Sequence, residues 1–140
     1  MFPSTLRKGE TINVEIIAAC DWNNTGIILE KGETYDFHAF GNWIDSIIFS
    51  DANGYEYDNN QIPWYSQLGN ELSKGFQRFP NSELFKLIGC IDNQNDCFEI
   101  GVNNTITASK TGILYCYAND FSVMYGNNLG KLRLNVTHLY

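Results

Sequence analysis

At 140 residues the chain is one domain by default, long enough to bury a core without requiring a disulfide or a metal. Aromatic residues make up 14% and charged residues 18%, with frequent Asn and Gly, which excludes a disordered chain and suits a β-rich domain with many tight turns. The net charge of −7 excludes partners held by their phosphate backbone, nucleic acid above all, and is compatible with binding cations.

No apolar run approaches the roughly 18 residues of a membrane span, so no membrane insertion is expected. The first residues carry Arg7 and Lys8 with no apolar stretch behind them, so no export signal is expected. A cytoplasmic location and export by a non-classical route both stay open.

Residues 11–20 alternate polar and apolar and then become apolar throughout. This predicts a strand half exposed at its start and buried at its end. Asp21-Trp22-Asn23-Asn24 predicts a turn, residues 25–29 a second strand, and residues 30–33 another turn. Residues 34–40 alternate, with Tyr35, Phe37 and Ala39 on one face. Gly41-Asn42-Trp43 closes that strand, with Trp43 assigned to the core. Ile47-Ile48-Phe49 is a short apolar strand before the turn at residues 50–54. From about residue 55 to residue 81 neither the strand nor the helix period appears, apart from one possible helical turn within residues 71–79. A loop of this length in a small domain is often functional.

Period 2 returns at residues 82–90, a predicted central strand, and in the shorter runs 97–100 and 104–107. Residues 111–117 are strongly β-prone, and residues 131–137 alternate most cleanly, with Leu132, Leu134 and Val136 inward. About eight short strands without a helix-length amphipathic segment predict a single all-β domain spanning the chain. The expected architecture is an antiparallel β-sandwich of jelly-roll or galactose-binding-like type.

The four cysteines form no CxxC pair, and neither His is spaced with them, so a zinc site is not expected. Cys20, Cys90 and Cys116 lie in strand-like runs, where cysteine acts as a small buried hydrophobe. Cys90 and Cys97 flank a plausible hairpin tip and either face each other as a disulfide or do not, since register is not readable from sequence.

The stretch 117–130 concentrates hard-oxygen donors between two strands: Asp120, Asn127 and Asn128, with Gly126 and Gly130 to permit turn geometry. Calcium takes about six to eight oxygens from carboxylates, carboxamides and carbonyls, and this loop offers all three kinds. The same residue types also cap ordinary turns, so both readings stand on spacing alone. An EF-hand is excluded: after Asp92-Asn93-Gln94-Asn95-Asp96, Cys97 occupies the required glycine position.

Tyr117-Ala118-Asn119-Asp120, then Tyr125-Gly126-Asn127-Asn128 and Gly130 before an alternating strand, resembles the calcium loop of the PA-IL (LecA) family of galactophilic bacterial lectins. That motif runs Tyr-Asn-Asp, four residues, Tyr-Gly-Asn-Asn, one residue, Gly. Residues 32–41, 83–89 and 111–119 are similar to strands of the same family, so the resemblance covers most of the chain except about residues 55–81. It implies a jelly-roll sandwich in which a calcium ion bridges protein and sugar. By it, Asp120, Asn127 and Asn128 ligate calcium through side chains, Met124 through its carbonyl, and a further carbonyl comes from about Asp45. Asp120, Asn127 and Asn128 also meet the sugar, with a polar contact at the Phe121 backbone.

The family's sugar site draws a His and a Gln from the middle loop. Here that loop has no His; Gln61 and Gln67 are the candidate replacements, and Trp64 a candidate stacking surface for a sugar ring. The implied function is a calcium-dependent, galactose-type lectin, with carbohydrate as partner and a homo-oligomer expected for avidity. The alternative is the same sandwich without sugar binding, acting as an interaction, structural or effector component. No enzyme is expected: Asp45 and Asp120 are the available carboxylate pair, but Asp120 is better used on a metal, and no nucleophile–base constellation appears.

Overall fold

The computed structural model describes residues 3–45, 48–55, 78–79, 82–120 and 125–140. Among them the strands are β1 (Ser4–Thr5), β2 (Thr11–Ile17), β3 (Asn23–Leu29), β4 (Thr34–Phe40), β5 (Trp43–Asp45) and β6 (Ile48–Ser50). They continue with β7 (Leu87–Ile91), β8 (Cys97–Glu99), β9 (Asn103–Thr107), β10 (Gly112–Ala118) and β11 (Asn128–His138), the last preceded by a 3-10 turn at Tyr125–Asn127. Among the described residues no helix is long and apolar enough to cross a membrane.

The strands form two sheets. The first runs β1–β3–β10–β7–β8 and is antiparallel except for the short β1–β3 pair. The second is built on β11. Its residues 133–137 pair at once with β2 on one side and β4 on the other. Phe40↔Arg133 and Trp43↔Gly130 keep one register, so β4 and β5 form a single line along β11. Gly41 interrupts that line with φ of 96°, a conformation only glycine takes freely. β9 borders β4, and β6 borders β5.

The two sheets face each other over one core. Tyr35, Phe37, Trp43, Leu132, Leu134 and Val136 come from the second sheet, and Leu29, Leu87, Ile91 and Leu114 from the first. The architecture is an all-β sandwich, as the alternation at residues 34–40 and 131–137 predicts. It has more and shorter strands than the expected eight or so. A smaller cluster covers the outer face of the first sheet, where Ile88, Cys90 and Tyr117 pack with Trp22, Phe79 and Cys97. That second layer explains why β7 is buried along its whole length.

Several local expectations change. The end of the first long strand is not buried throughout: Ile17 is 41% exposed and Ala19 is exposed, because the two-residue period persists to the turn. Cys20 therefore lies beyond β2 rather than in it, and β3 begins at Asn23 within the expected turn. The Asn23 side chain closes that corner, accepting from the Ile17 amide at 2.9 Å and donating to the Cys116 carbonyl at 3.1 Å.

The predicted central strand at 82–90 starts only at Leu87. Phe85 sits at φ 64°, giving its amide to the Asn119 carbonyl at 2.6 Å and accepting from Trp43 Nε1 at 3.2 Å. Those non-ladder bonds end the strand. Cys90 and Cys97 are register partners in β7 and β8 and form a disulfide. His138 is the buried last residue of β11.

Candidate functional site

The oxygen-rich stretch leaves β10 at Ala118 and re-enters the sheets at Asn128, and both of its ends are fastened. Asn119 is fully buried and ties the loop to residues 79–86. Its Oδ1 accepts from the Phe79 amide at 3.0 Å, its Nδ2 donates to the carbonyls of Phe79 (3.0 Å) and Glu83 (3.1 Å), and its amide donates to the Lys86 carbonyl at 2.9 Å. The next residue, Asp120, is 3% exposed, and its carbonyl accepts the Arg78 amide at 3.2 Å.

Arg78 also holds the other end. Its guanidinium lies 3.6 Å over the Tyr117 ring, donates to the Asp21 carbonyl, and donates to the Tyr125 hydroxyl at 2.8 Å. The Tyr125 hydroxyl donates to the Ala118 carbonyl at 2.6 Å, which closes the loop across its neck. Burial raises the Tyr125 pKa, the Arg78 charge opposes that, and the Asp120 charge adds to it. The phenol therefore stays neutral and serves as a hydrogen-bond relay between the loop ends.

Asn128 opens β11 and is 1% exposed. Its Nδ2 donates to the Ala18 carbonyl at 3.2 Å, which identifies Oδ1 as the oxygen; that oxygen is buried and has no hydrogen-bond partner among the described residues. Leaving a buried acceptor unmet costs about 1–3 kcal/mol. Directly opposite, in register, stands Asp45 of β5, and such antiparallel partners present their side chains on the same face. Asp45 Oδ2 accepts from the Tyr55 hydroxyl. Burial raises the Asp45 pKa, with the Tyr55 hydrogen bond pulling the other way.

The two glycines of the loop differ. Gly130 has φ of 85°, which requires glycine, whereas Gly126 has no positive φ and a Cβ there would meet open space.

These donors fit a hard cation. Asn128 Oδ1 is a buried oxygen with no donor among the described residues, and the Asp120 carboxylate is buried on the same loop. Among the described residues no three His, Cys, Asp or Glu side chains gather to hold a metal, so a cation here would depend on carboxamide and carbonyl oxygens as well. Of the sequence-predicted site residues, Asp120 and Asn128 stand at the two ends of the loop and Asp45 faces Asn128, while Asn127 closes the 3-10 turn before it. Phe121, Met124, Gln61, Trp64 and Gln67 lie outside the described residues. Sequence reasoning missed Arg78 and Tyr55 and gave Asn119 no role. Arg78 sits in an aperiodic segment, and the rings it meets are far from it in sequence, so no local signal marks it.

The fold and this loop define a β-sandwich with buried hard oxygens at the end of the β5–β11 ladder. No protein-family model matches the chain, and no curated protein sequence matches it. Among solved structures the chain is similar to the EclA N-terminal domain, described as a PllA-like lectin. The identity is 15%, the match covers 90% of this chain and 94% of that one, and the TM-score is 0.64. That likeness is one of fold: a β-sandwich over nearly the whole chain.

Proposed function

We propose that the protein is a non-catalytic, calcium-dependent carbohydrate-binding protein. The observation that carries this reading is Asn128 Oδ1, a buried oxygen without a donor among the described residues, in register with Asp45 and on the same loop as the buried Asp120 carboxylate. Its likeness in fold to a PllA-like lectin supports the reading. Asp120, Asn127 and Asn128 would hold the calcium through side chains, and Met124 and Asp45 through carbonyls. The ion would supply a hard positive centre for two vicinal sugar hydroxyls. Asp120 would accept a hydrogen bond from one hydroxyl, and the Asn127 and Asn128 carboxamides would orient its neighbour. The Phe121 backbone, Gln61, Gln67 and a stacking Trp64 would complete a galactose-type site.

Two measurements test the reading. A ligand that binds only the folded state stabilises it, so calcium raises the melting temperature of the wild type and not of Asp120→Ala. Glycan-array binding appears in calcium and vanishes with chelator. An array that stays empty in calcium, with calcium stabilisation intact, removes the sugar and keeps the metal. An unchanged melt in calcium removes both.

A further inference from the structure

The outer face of the first sheet carries the Cys90–Cys97 disulfide and the clamp of the oxygen-rich loop in one layer. Cys90 is the register partner of Cys97 on one side and of Tyr115 on the other, and Ile88 is that of Tyr117. Register partners share a face, so the disulfide and both tyrosines stand side by side. Trp22 stacks on Tyr115 at 4.6 Å between ring centres and lies 6.3 Å from Tyr117. Ile88, Cys90 and Tyr117 are buried, and among the described residues Trp22, Phe79 and Cys97 pack against them. Cys116 is buried in the core between the sheets, on the other face of β10, so it is no competing partner for Cys90.

The clamp is seated on this layer. The Arg78 guanidinium lies 3.6 Å over the Tyr117 ring and 5.9 Å from that of Trp22, while its amide holds the Asp120 carbonyl and its side chain the Tyr125 hydroxyl. Phe79, the next residue, packs into the layer and exchanges two hydrogen bonds with the Asn119 side chain. Both ends of the loop therefore hang on residues 78–79, and these rest on the layer that the disulfide spans. β8 is a three-residue strand at the edge of its sheet, paired only with β7, so the cross-link is what pins the Cys97 side of the layer.

We infer that the Cys90–Cys97 disulfide is a redox control on the oxygen-rich loop. Oxidised, it keeps the layer packed and the neck of the loop closed; reduced, it loosens residues 78–79 and frees both loop ends. A disulfide has two discrete states, which is what coupling between separate places in a fold requires. Cys90 is fully buried and Cys97 only partly, so a small dithiol reaches the Cys97 sulfur first. Its thiolate bonds to that sulfur, the S–S bond breaks, and Cys90 leaves as a thiolate that takes up a proton. The second sulfur of the dithiol then displaces Cys97, which is protonated in turn. Two electrons pass to the protein, and the dithiol becomes a disulfide. A loosened neck holds calcium less well, and that last consequence alone rests on the proposed function.

Amide hydrogen exchange on the full chain, in chelator, with and without dithiothreitol, tests the inference. The amides to follow are those of Arg78, Phe79, Phe85 and Asn119, all bonded across the neck. A disulfide that acts only on the unfolded chain speeds the amides that exchange by global unfolding, such as those of β11, and leaves local openings alone. The expected result is at least tenfold faster exchange at the neck on reduction, by an opening that low denaturant does not accelerate. Cys97→Ser, which lacks the bond from the start, should match the reduced wild type there without reductant. Neck rates that are equal in the two states, or that rise only in step with those of β11, overturn the inference. Calcium titrations followed by melting should show at least a tenfold weaker Kd for the reduced protein, and equal values overturn the control of binding. A protein that ignores calcium in both states removes the proposed function instead, and the exchange rates still decide whether the disulfide governs the neck.

Discussion

Replacing Asn128 by Leu separates a structural carboxamide from one kept for a cation. The side chain is buried, and Leu matches its heavy-atom count and branching, with methyls somewhat bulkier than the carboxamide. In chelator the substitution removes one hydrogen bond to the Ala18 carbonyl, worth a net ~1 kcal/mol, and leaves that carbonyl without this donor. It also removes the partnerless Oδ1, whose burial costs about 1–3 kcal/mol. The two nearly cancel, and Asn128→Leu should melt within a few degrees of the wild type without calcium. Calcium separates them. At a hundredfold excess over Kd a native-state ligand contributes ~2.7 kcal/mol. For a chain of this size that is roughly a 10 °C rise, at about 4 °C per kcal/mol. The wild type should show the rise and the variant should not. Melts followed by circular dichroism, with chelator and with millimolar calcium, measure both effects. A variant that melts far below the wild type in chelator, yet still gains from calcium, would refute the reasoning: Asn128 would then be a scaffold residue only.

The two loop glycines should part company on substitution. Gly130→Ala forces a side chain into a left-handed backbone and should cost about 1–2 kcal/mol in denaturant unfolding, whereas Gly126→Ala should be close to neutral. Reducing the Cys90–Cys97 disulfide reopens a loop with a sequence separation of 7, and the chain-entropy estimate for so short a loop is ~2.5 kcal/mol, readable as a lower midpoint with reductant than without. His138 faces two acceptors: Nδ1 lies 2.9 Å from the Leu6 carbonyl and Nε2 3.2 Å from Glu33 Oε2. A neutral imidazole has one N–H, so only the charged ring donates to both. The Leu6 hydrogen bond, then Glu33, raise its pKa. This contribution is therefore complete below the ordinary histidine range, about 6.5, and is lost as pH rises through the raised folded value. Glu33→Gln should be less stable than the wild type at acidic pH, and the gap should narrow in alkaline solution.

The strands that read most clearly in the sequence are those with one dry face. Tyr35, Phe37 and Ala39, like Leu132, Leu134 and Val136, are buried as alternation requires, because each faces the opposite sheet and its neighbours face water. Alternation misleads where a strand is covered on both sides or broken by a turn. β7 is buried throughout under the Trp22–Tyr117 cluster, and the apparent strand before it ends at the left-handed Phe85, whose backbone partners are Asn119 and Trp43.

For the site, the residue types and spacing of Asp120, Asn127 and Asn128 were legible by themselves, since oxygen donors on one short loop are a local property. Their resemblance to a lectin loop suggested where a further carbonyl should lie. What local sequence could not supply is any relation between distant residues. That Asp45 stands opposite Asn128, that Ala18 takes the Asn128 amide and leaves its oxygen unmet, and that Arg78 links Asp120 to Tyr125 are all decided by sheet register and by a cation seated on rings remote in the chain. Periodicity reports which side of its own element a residue occupies; only the closed sandwich determines which other element it meets there.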